Sequence, residues 1–291
     1  MMTYSDLYLK AKKILRSCED EQAASLLARD LLAYAAGVSR EKLVTMGTEE
    51  ASEQTQAKMD FFISRSMAGE PLAYILGRWE FYGMELTVNK DVLIPRDDTC
   101  AVTELAIKQC LFLPPNPRIL DLCTGSGCIG LAIANRVKDA RVTLGDISKA
   151  ALTVAKKNIT DLKMSGRVSA VQTDALAKPM AFLGKFDMIV SNPPYITSQE
   201  MKELPRSVAD YEPHLALHGG DDGLEFYRAI ARNYSSALKP GGYLCFEFGM
   251  GQGDSVCAIL EENGYTILER TLDFNERERA VLAQYTRKDE A

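Results

Sequence analysis

The run Ile119-Leu120-Asp121-Leu122-Cys123-Thr124-Gly125-Ser126-Gly127-Cys128-Ile129-Gly130 constrains this chain more than any other segment. A short apolar stretch, a glycine turn and a second apolar stretch read as a buried strand, a tight loop and the start of a helix. Such a strand needs parallel neighbours, and the chain supplies them. Strands are expected at 119–122, 142–145, 168–172, 186–190, 243–248, 265–269 and 280–285. Helices are expected from Cys128, over 149–158, over 224–238 and over 254–262. Strand and helix alternating at this spacing predict an α/β domain with a Rossmann-like, doubly wound, mostly parallel seven-stranded sheet.

The first 70 residues follow another period. Leu7, Ala11, Ile14 and Leu15, then Ala23, Leu26, Leu27, Leu31, Leu32 and Ala35, recur at helical steps, with Gly37, Gly47 and Gly69 as punctuation. A third helix, near Glu53 to Met67, is expected to bury Ala57, Phe61 and Phe62. Three short helices can share one apolar face. Trp79 to Pro95 reads as a hairpin about Gly83, and Pro95-Arg96-Asp97-Asp98 opens a helix that Asp97 or Asp98 can cap. The expected organisation is a helical domain at 1–76, a β-hairpin linker at 77–97 and a catalytic domain at 98–291. A length of 291 residues suits more than one domain.

Composition removes several function classes. No apolar run is long enough to cross a bilayer, and the start of the chain has no signal-peptide core, so a cytoplasmic protein is expected. The seven cysteines are scattered without a C-x-x-C pair, which argues against a disulfide framework or a structural zinc site. The formal charge is -6, with no basic half, so nucleic acid is a disfavoured partner. His214 and His218 lie four residues apart but have no third ligand nearby, and a loop beside the substrate entrance suits them better than a metal site.

Gly125, Gly127 and Gly130 form a G-x-G-x-x-G, which alone is weak evidence for a dinucleotide. Asp121 lies on the strand below, where its carboxylate would repel phosphate and suit an amine. Asp146, ending the next strand, is placed to accept from a ribose diol, and Asp174, after the third, to meet an adenine amino group. Adenosine, an ammonium and a sulfonium without phosphate describe S-adenosylmethionine.

The strand at 186–190 ends in Ser191-Asn192-Pro193-Pro194-Tyr195. Prolines lack N–H groups and stiffen the turn, leaving an acceptor-rich loop. The Asn192 side-chain oxygen and the Pro193 carbonyl can accept both N–H bonds of a planar NH2 group, while Tyr195 stacks on it. That would aim a poorly nucleophilic nitrogen at a sulfonium methyl by positioning and electrostatics, without a metal.

The glycine loop together with Asn192-Pro193-Pro194-Tyr195 resembles the S-adenosylmethionine-dependent amino-methyltransferases. Further segments narrow the resemblance: Gly69 to Gly77, Glu80-Phe81-Tyr82-Gly83, Leu93 to Thr99, and Ala216-Leu217 to Leu224 look like the release-factor glutamine methyltransferase family. The match spans about residues 5 to 285. It implies methylation of the glutamine amide in the Gly-Gly-Gln motif of class I peptide chain release factors, with the helical domain docking the substrate; a monomer is expected. It also implies that Cys123, Thr124, Gly125, Ser126 and Gly127 hold the cofactor's methionine part. Asp146 would hold its ribose, Asp174 and Ala175 would flank adenine, and Asn192 to Tyr195 would hold the glutamine, with Asn192 also touching the cofactor. Cys100, Cys123, Ala175 and the tail Asp273 to Arg279 depart from the family pattern; Cys123, where glycine is frequent, is tolerable if its φ is negative. A methyltransferase acting on a nucleic-acid base is the main alternative. A non-catalytic module would not need Asn192 and Tyr195, and an NAD-dependent oxidoreductase would have no clear use for Asp121.

Overall fold

The chain folds as two units, Met1–Gly77 and Arg78–Ala291, of which residues 2–286 are described in the computed structural model. The first unit holds α1 (Tyr4–Leu15), α2 (Glu21–Ala36), α3 (Arg40–Thr45), α4 (Glu53–Met67) and α5 (Leu72–Leu76). Local chemistry sets the ends of these helices. Thr3 and Asp6 form a reciprocal capping box on α1, Asp20 accepts from the Ala23 amide, and Gly37 closes α2 in the left-handed conformation at φ 68°.

Leu7, Leu15, Leu31, Leu32 and Met59 form the fully buried centre of this unit. The buried face of α4 differs from expectation: Thr55, Met59, Phe62 and Ile63 turn inward, while Ala57 and Phe61 are exposed. Phe62 and Ile63 continue the 3.6-residue stripe begun by Thr55 and Met59, which rotates Phe61 outward. The Arg65 guanidinium then binds Glu70 and the Tyr74 and Ile75 carbonyls, fixing the last turns around Gly69-Glu70-Pro71.

The second unit opens with the hairpin β1 (Arg78–Phe81) and β2 (Met84–Thr87), turned by Tyr82 and Gly83 at φ 51° and 74°. Two successive positive φ values make the tight turn whose twist matches a hairpin. The helix α6 (Cys100–Cys110) follows a single 3-10 turn at Asp97–Thr99. Neither aspartate caps it: the α6 N-terminus has no side-chain cap, and Asp98 pairs with Arg279 at 3.0 Å.

The strands β3 (Arg118–Leu122), β4 (Arg141–Asp146), β5 (Val168–Gln172), β6 (Phe186–Ser191), β7 (Leu238–Glu247), β8 (Tyr265–Leu272) and β9 (Glu278–Tyr285) form one sheet in the order β5-β4-β3-β6-β7-β9-β8. The first five of that order run parallel, and β9 is antiparallel to both of its neighbours. Between the strands lie α7 (Cys128–Arg136), α8 (Lys149–Asp161), the short α9 (Arg206–Ala209), α10 (Glu225–Asn233) and α11 (Gly253–Glu262). The expected helix at 224–238 ends at Asn233 and finishes as a 3-10 turn.

Strand alternation divides the core between the two faces of the sheet. Leu120, Leu122 and Ile189 pack with Tyr227, Tyr234 and Phe246 on one face. Ile119, Met188 and Val190 pack with Val102, Leu105 and Ile129 on the other. Strand order reverses between β3 and β6, so the loops leaving their carboxyl ends diverge and open a crevice there.

Candidate active site

Loops at the carboxyl ends of β3, β4, β5 and β6 line a cavity of about 280 Å³. Its wall takes Cys123, Thr124, Gly125 and Ser126 from the first loop, Asp146 from the second, Asp174 and Ala175 from the third, and Asn192 and Pro194 from the fourth. Leu122 stands opposite Ser191 in the sheet, so Cys123 and Asn192 leave neighbouring strands side by side. Sequence-distant residues thus meet because the topology places their strand ends together.

Backbone amides set the glycine loop. The Thr124 amide donates to the Gly145 carbonyl at 3.1 Å, and the Gly125 amide to Asp146 Oδ2 at 2.9 Å. Asp146 Oδ1 accepts from the Ser148 amide at 2.9 Å, so this carboxylate is held on both sides. Burial lifts its carboxyl above the usual range, while the Ser148 and Gly125 amides oppose the shift. After β5, Asp174 Oδ1 accepts from the Leu176 amide at 2.8 Å, and the Tyr234 hydroxyl donates to the Asp174 carbonyl at 2.9 Å.

Asp121 and Gly127 lie outside the cavity wall. Asp121 shares the strand face of Ile119, so its side chain passes beneath the loop toward α7. Its Oδ2 accepts from the Thr124 hydroxyl at 2.5 Å and the Gly130 amide at 2.9 Å, and Oδ1 is buried without a partner. Burial pushes this carboxyl up to about 7. The residue expected to meet a ligand is thus the support under the loop. Gly130 permits that closeness: a Cβ there would lie 2.9 Å from Asp121 Oδ2 and 2.3 Å from Leu144 Cδ2.

Cys123 has φ 60°, against the negative value that would make it an easy replacement for glycine. The chain must turn sharply out of β3 at this point, and a side chain in the left-handed region costs roughly 1–2 kcal/mol. Its thiol is pushed up by burial and by Asp146.

The Asn192 loop is braced from outside. Asn192 Nδ2 donates to Thr99 Oγ1 at 3.3 Å. Pro193 and Tyr195 are not part of the cavity wall. The Tyr195 ring faces Gly249, where a Cβ would lie 3.0 Å from Cδ2, and burial pushes its phenol up to about 12. The ring is half-buried there and packs against the apolar core on one face of the sheet. Gly219 and Gly223 press on its backbone: added Cβ atoms would lie 2.6 Å from the Pro194 carbonyl oxygen and 2.3 Å from that of Tyr195. Gln252 Nε2 donates to the same Tyr195 carbonyl at 3.1 Å. Across the cavity, Glu212 receives the Arg96 guanidinium and the Ile94 amide, which ties down the segment from Leu93 to Asp98.

His214 and His218 are held separately. His218 Nε2 contacts Ser198 Oγ at 2.9 Å, and His214 Nε2 contacts the Ala209 carbonyl at 2.9 Å. Among the described residues no group of three or more His, Cys, Asp or Glu side chains is placed to hold a metal ion. Nor is any helix among them long and apolar enough to cross a membrane.

Sheet order and cavity define the class, a methyltransferase of the mostly parallel seven-stranded type. Residues 103–215 match the methyltransferase small domain, and residues 6–77 match the PrmC N-terminal domain. The fold is shared with the hMettl16 catalytic domain in complex with MAT2A 3'UTR hairpin 6, at TM-score 0.55 and 16% identity over 72% of this chain and 78% of that one. A methyltransferase from Pyrococcus furiosus has TM-score 0.51 and 16% identity over 77% and 98% of the two chains. Sequence relatives carry the finer assignment. The release factor glutamine methyltransferase of Clostridium acetobutylicum is 39% identical over 282 residues, 97% of this chain and 98% of that protein. That of Neisseria gonorrhoeae is 39% identical over 258 residues, 89% and 92% of the two. The chain belongs to the release factor glutamine methyltransferase family.

Several residues of the site have no individual signal in the sequence. Thr99, Gly219 and Gly223 lie within segments that carry the family resemblance, yet their contacts form only when distant loops meet. Gln252 sits on a loop with no motif of its own. Glu247 did have a signal: like Asp121 and Asp146, it is an acidic residue at the carboxyl end of an apolar strand.

Proposed function

We propose that this protein transfers the methyl group of S-adenosylmethionine to the side-chain amide nitrogen of the glutamine in the Gly-Gly-Gln motif of class I peptide chain release factors. The observation that carries this reading is the shared wall of the glycine loop and the Asn192 loop. One cavity thus has a cofactor side and an amide side. S-adenosylmethionine, when bound, supplies a methyl group on positively charged sulfur. The cavity's chemistry fits it: Asp146 and Asp174 keep acceptor capacity beyond their backbone partners, suited to a diol and an amine.

Residues Cys123 to Ser126 would hold the methionine part, with Gly127 and Asp121 shaping the loop from outside the wall. Asp146 would hold the ribose, and Asp174 with Ala175 would flank adenine. Asn192 Oδ1 and the Pro193 carbonyl would accept the two N–H bonds of the glutamine amide. As that nitrogen gains positive charge, these oxygens stabilise it in place, without reorganisation. Pro194 closes the wall, and Tyr195 keeps the loop in position. The helical unit docks the release factor, a reading supported by its match to the PrmC N-terminal domain and by exposed Val44 and Phe61. A monomer in the cytoplasm would meet this substrate.

Incubation with methyl-labelled S-adenosylmethionine, intact release factor, and DNA and RNA as competitors tests the assignment. Label is expected on the release factor and lost when the motif glutamine is replaced. Label on nucleic acid alone would overturn it.

A further inference from the structure

Beneath Asn192 lies a carboxylate with no role in the chemistry above. Glu247 ends β7 directly after Phe246, which stands opposite Ser191, so Glu247 and Asn192 are the next residues of two parallel neighbours. Glu247 is 1% exposed, and its Oε2 makes no hydrogen bond. A buried carboxylate with an idle oxygen lowers stability, and ending a strand does not call for one. Its nearest polar side chains are Thr99 and Asn192, whose Nδ2 donates to Thr99 Oγ1 at 3.3 Å.

An ionised carboxylate can only accept hydrogen bonds, whereas the Thr99 hydroxyl can accept or donate. Thr99 alone therefore leaves the Asn192 amide free to stand either way round. A negative charge on Glu247 removes that freedom by favouring the Nδ2 end on its side, which leaves Oδ1 for the cavity. The opposite orientation would present N–H groups to the N–H groups of the incoming glutamine.

We propose that Glu247 is a positioning residue for methyl transfer, fixing the Asn192 amide so that Oδ1 accepts from the substrate amide. This rests on the function proposed above. It also gives turnover an acid limb. Burial pushes the Glu247 carboxyl up to about 7, with Asp98 adding to the shift and Thr99, Arg279 and Asn192 opposing it. The other groups facing it are Cys100 on α6, Cys128 on α7, Tyr195 after β6 and Tyr227 on α10. Burial raises each of these, so they stay neutral near neutrality, and Arg279 on β9 stays charged. Below its pKa, Glu247 gains a donor that can bond Oδ1 and hold the Asn192 amide the wrong way.

Two measurements on the full-length protein test this. The first compares the pH profile of kcat, and cofactor affinity by calorimetry, between wild type and Glu247→Gln. Turnover should fall by about 100-fold through misplacement of the amide, the acid limb near 7 should vanish, and cofactor affinity should hold. The second follows the Asn192 side-chain amide by 15N NMR without substrate, its signal assigned through Asn192→Ala. In wild type this signal should titrate with a midpoint near 7, and in Glu247→Gln it should not. Unchanged turnover with the same limb, or a wild-type Asn192 signal insensitive to pH, would overturn the proposal. So would parallel loss of cofactor affinity and turnover, the mark of a merely structural role. If wild type never labels release factor, the assigned function fails, and the NMR titration still decides the role of Glu247.

Discussion

Two loops leave neighbouring strands at the same edge of the sheet and are stiffened by opposite means. The glycine loop after β3 is held from within: its amides bind Gly145 and Asp146, and its buried carboxylate, Asp121, reaches Thr124 and Gly130 close by in sequence. The Asn192 loop after β6 is held from outside by Thr99, Gly219, Gly223 and Gln252, all distant in sequence. The lesson is one of division of labour. A loop that wraps a ligand with backbone amides can carry its own support, whereas a loop that offers one side chain and one carbonyl needs neighbours to aim them.

The contrast can be broken most severely at Asn192. Asn192→Ala should lower kcat by about 100- to 1000-fold, as loss of one aimed hydrogen-bonding group does at reacting centres. Cofactor affinity, measured by calorimetry, should change little, because the glycine loop does not lean on Asn192. Next comes Gly223→Ala. Its Cβ would meet the Tyr195 carbonyl oxygen at 2.3 Å, and its φ of 71° already disfavours a side chain. A loss of about 2–4 kcal/mol in urea unfolding, together with turnover, is expected.

The carboxylate under the glycine loop predicts a pH effect. Asp121 is pushed up to about 7 by burial, so its folded pKa lies above its unfolded one. The folded state then binds more protons between roughly 4 and 7, and stability falls as pH rises through that window. Asp121→Asn removes the titration. Wild type should lose about 2–4 kcal/mol relative to this variant between those limits, measured by urea midpoints of the ligand-free protein. The smallest effect belongs to Cys123, at φ 60°. Cys123→Gly should raise stability by up to about 1 kcal/mol, because relief of left-handed strain outweighs the added chain entropy of glycine. A fall in the midpoint would show that the thiol's packing matters more than the backbone.

Much of this architecture is legible in the sequence. Short apolar runs alternating with helical periods encode the sheet, and the acidic strand ends at Asp121 and Asp146 mark its ligand edge. What is not legible is the direction of side chains at loops and helix starts. Asp121 turns beneath its loop because strand parity assigns it to the α7 face. Tyr195 turns behind its loop toward Gly249, and Asp98 joins Arg279 instead of capping α6. Phe61 is exposed because Phe62 and Ile63 complete the stripe on α4. Each outcome depends on a partner supplied by a remote segment.

The central claim is that Asn192 and the glycine loop together deliver a methyl group to a glutamine amide. Tandem mass spectrometry of a release factor treated with this protein and S-adenosylmethionine tests it most directly, with Asn192→Ala run in parallel. A methyl group on the side-chain nitrogen of the Gly-Gly-Gln glutamine, absent with the variant, is the predicted result. A methyl group on any other residue, or equal modification by the variant, would contradict it.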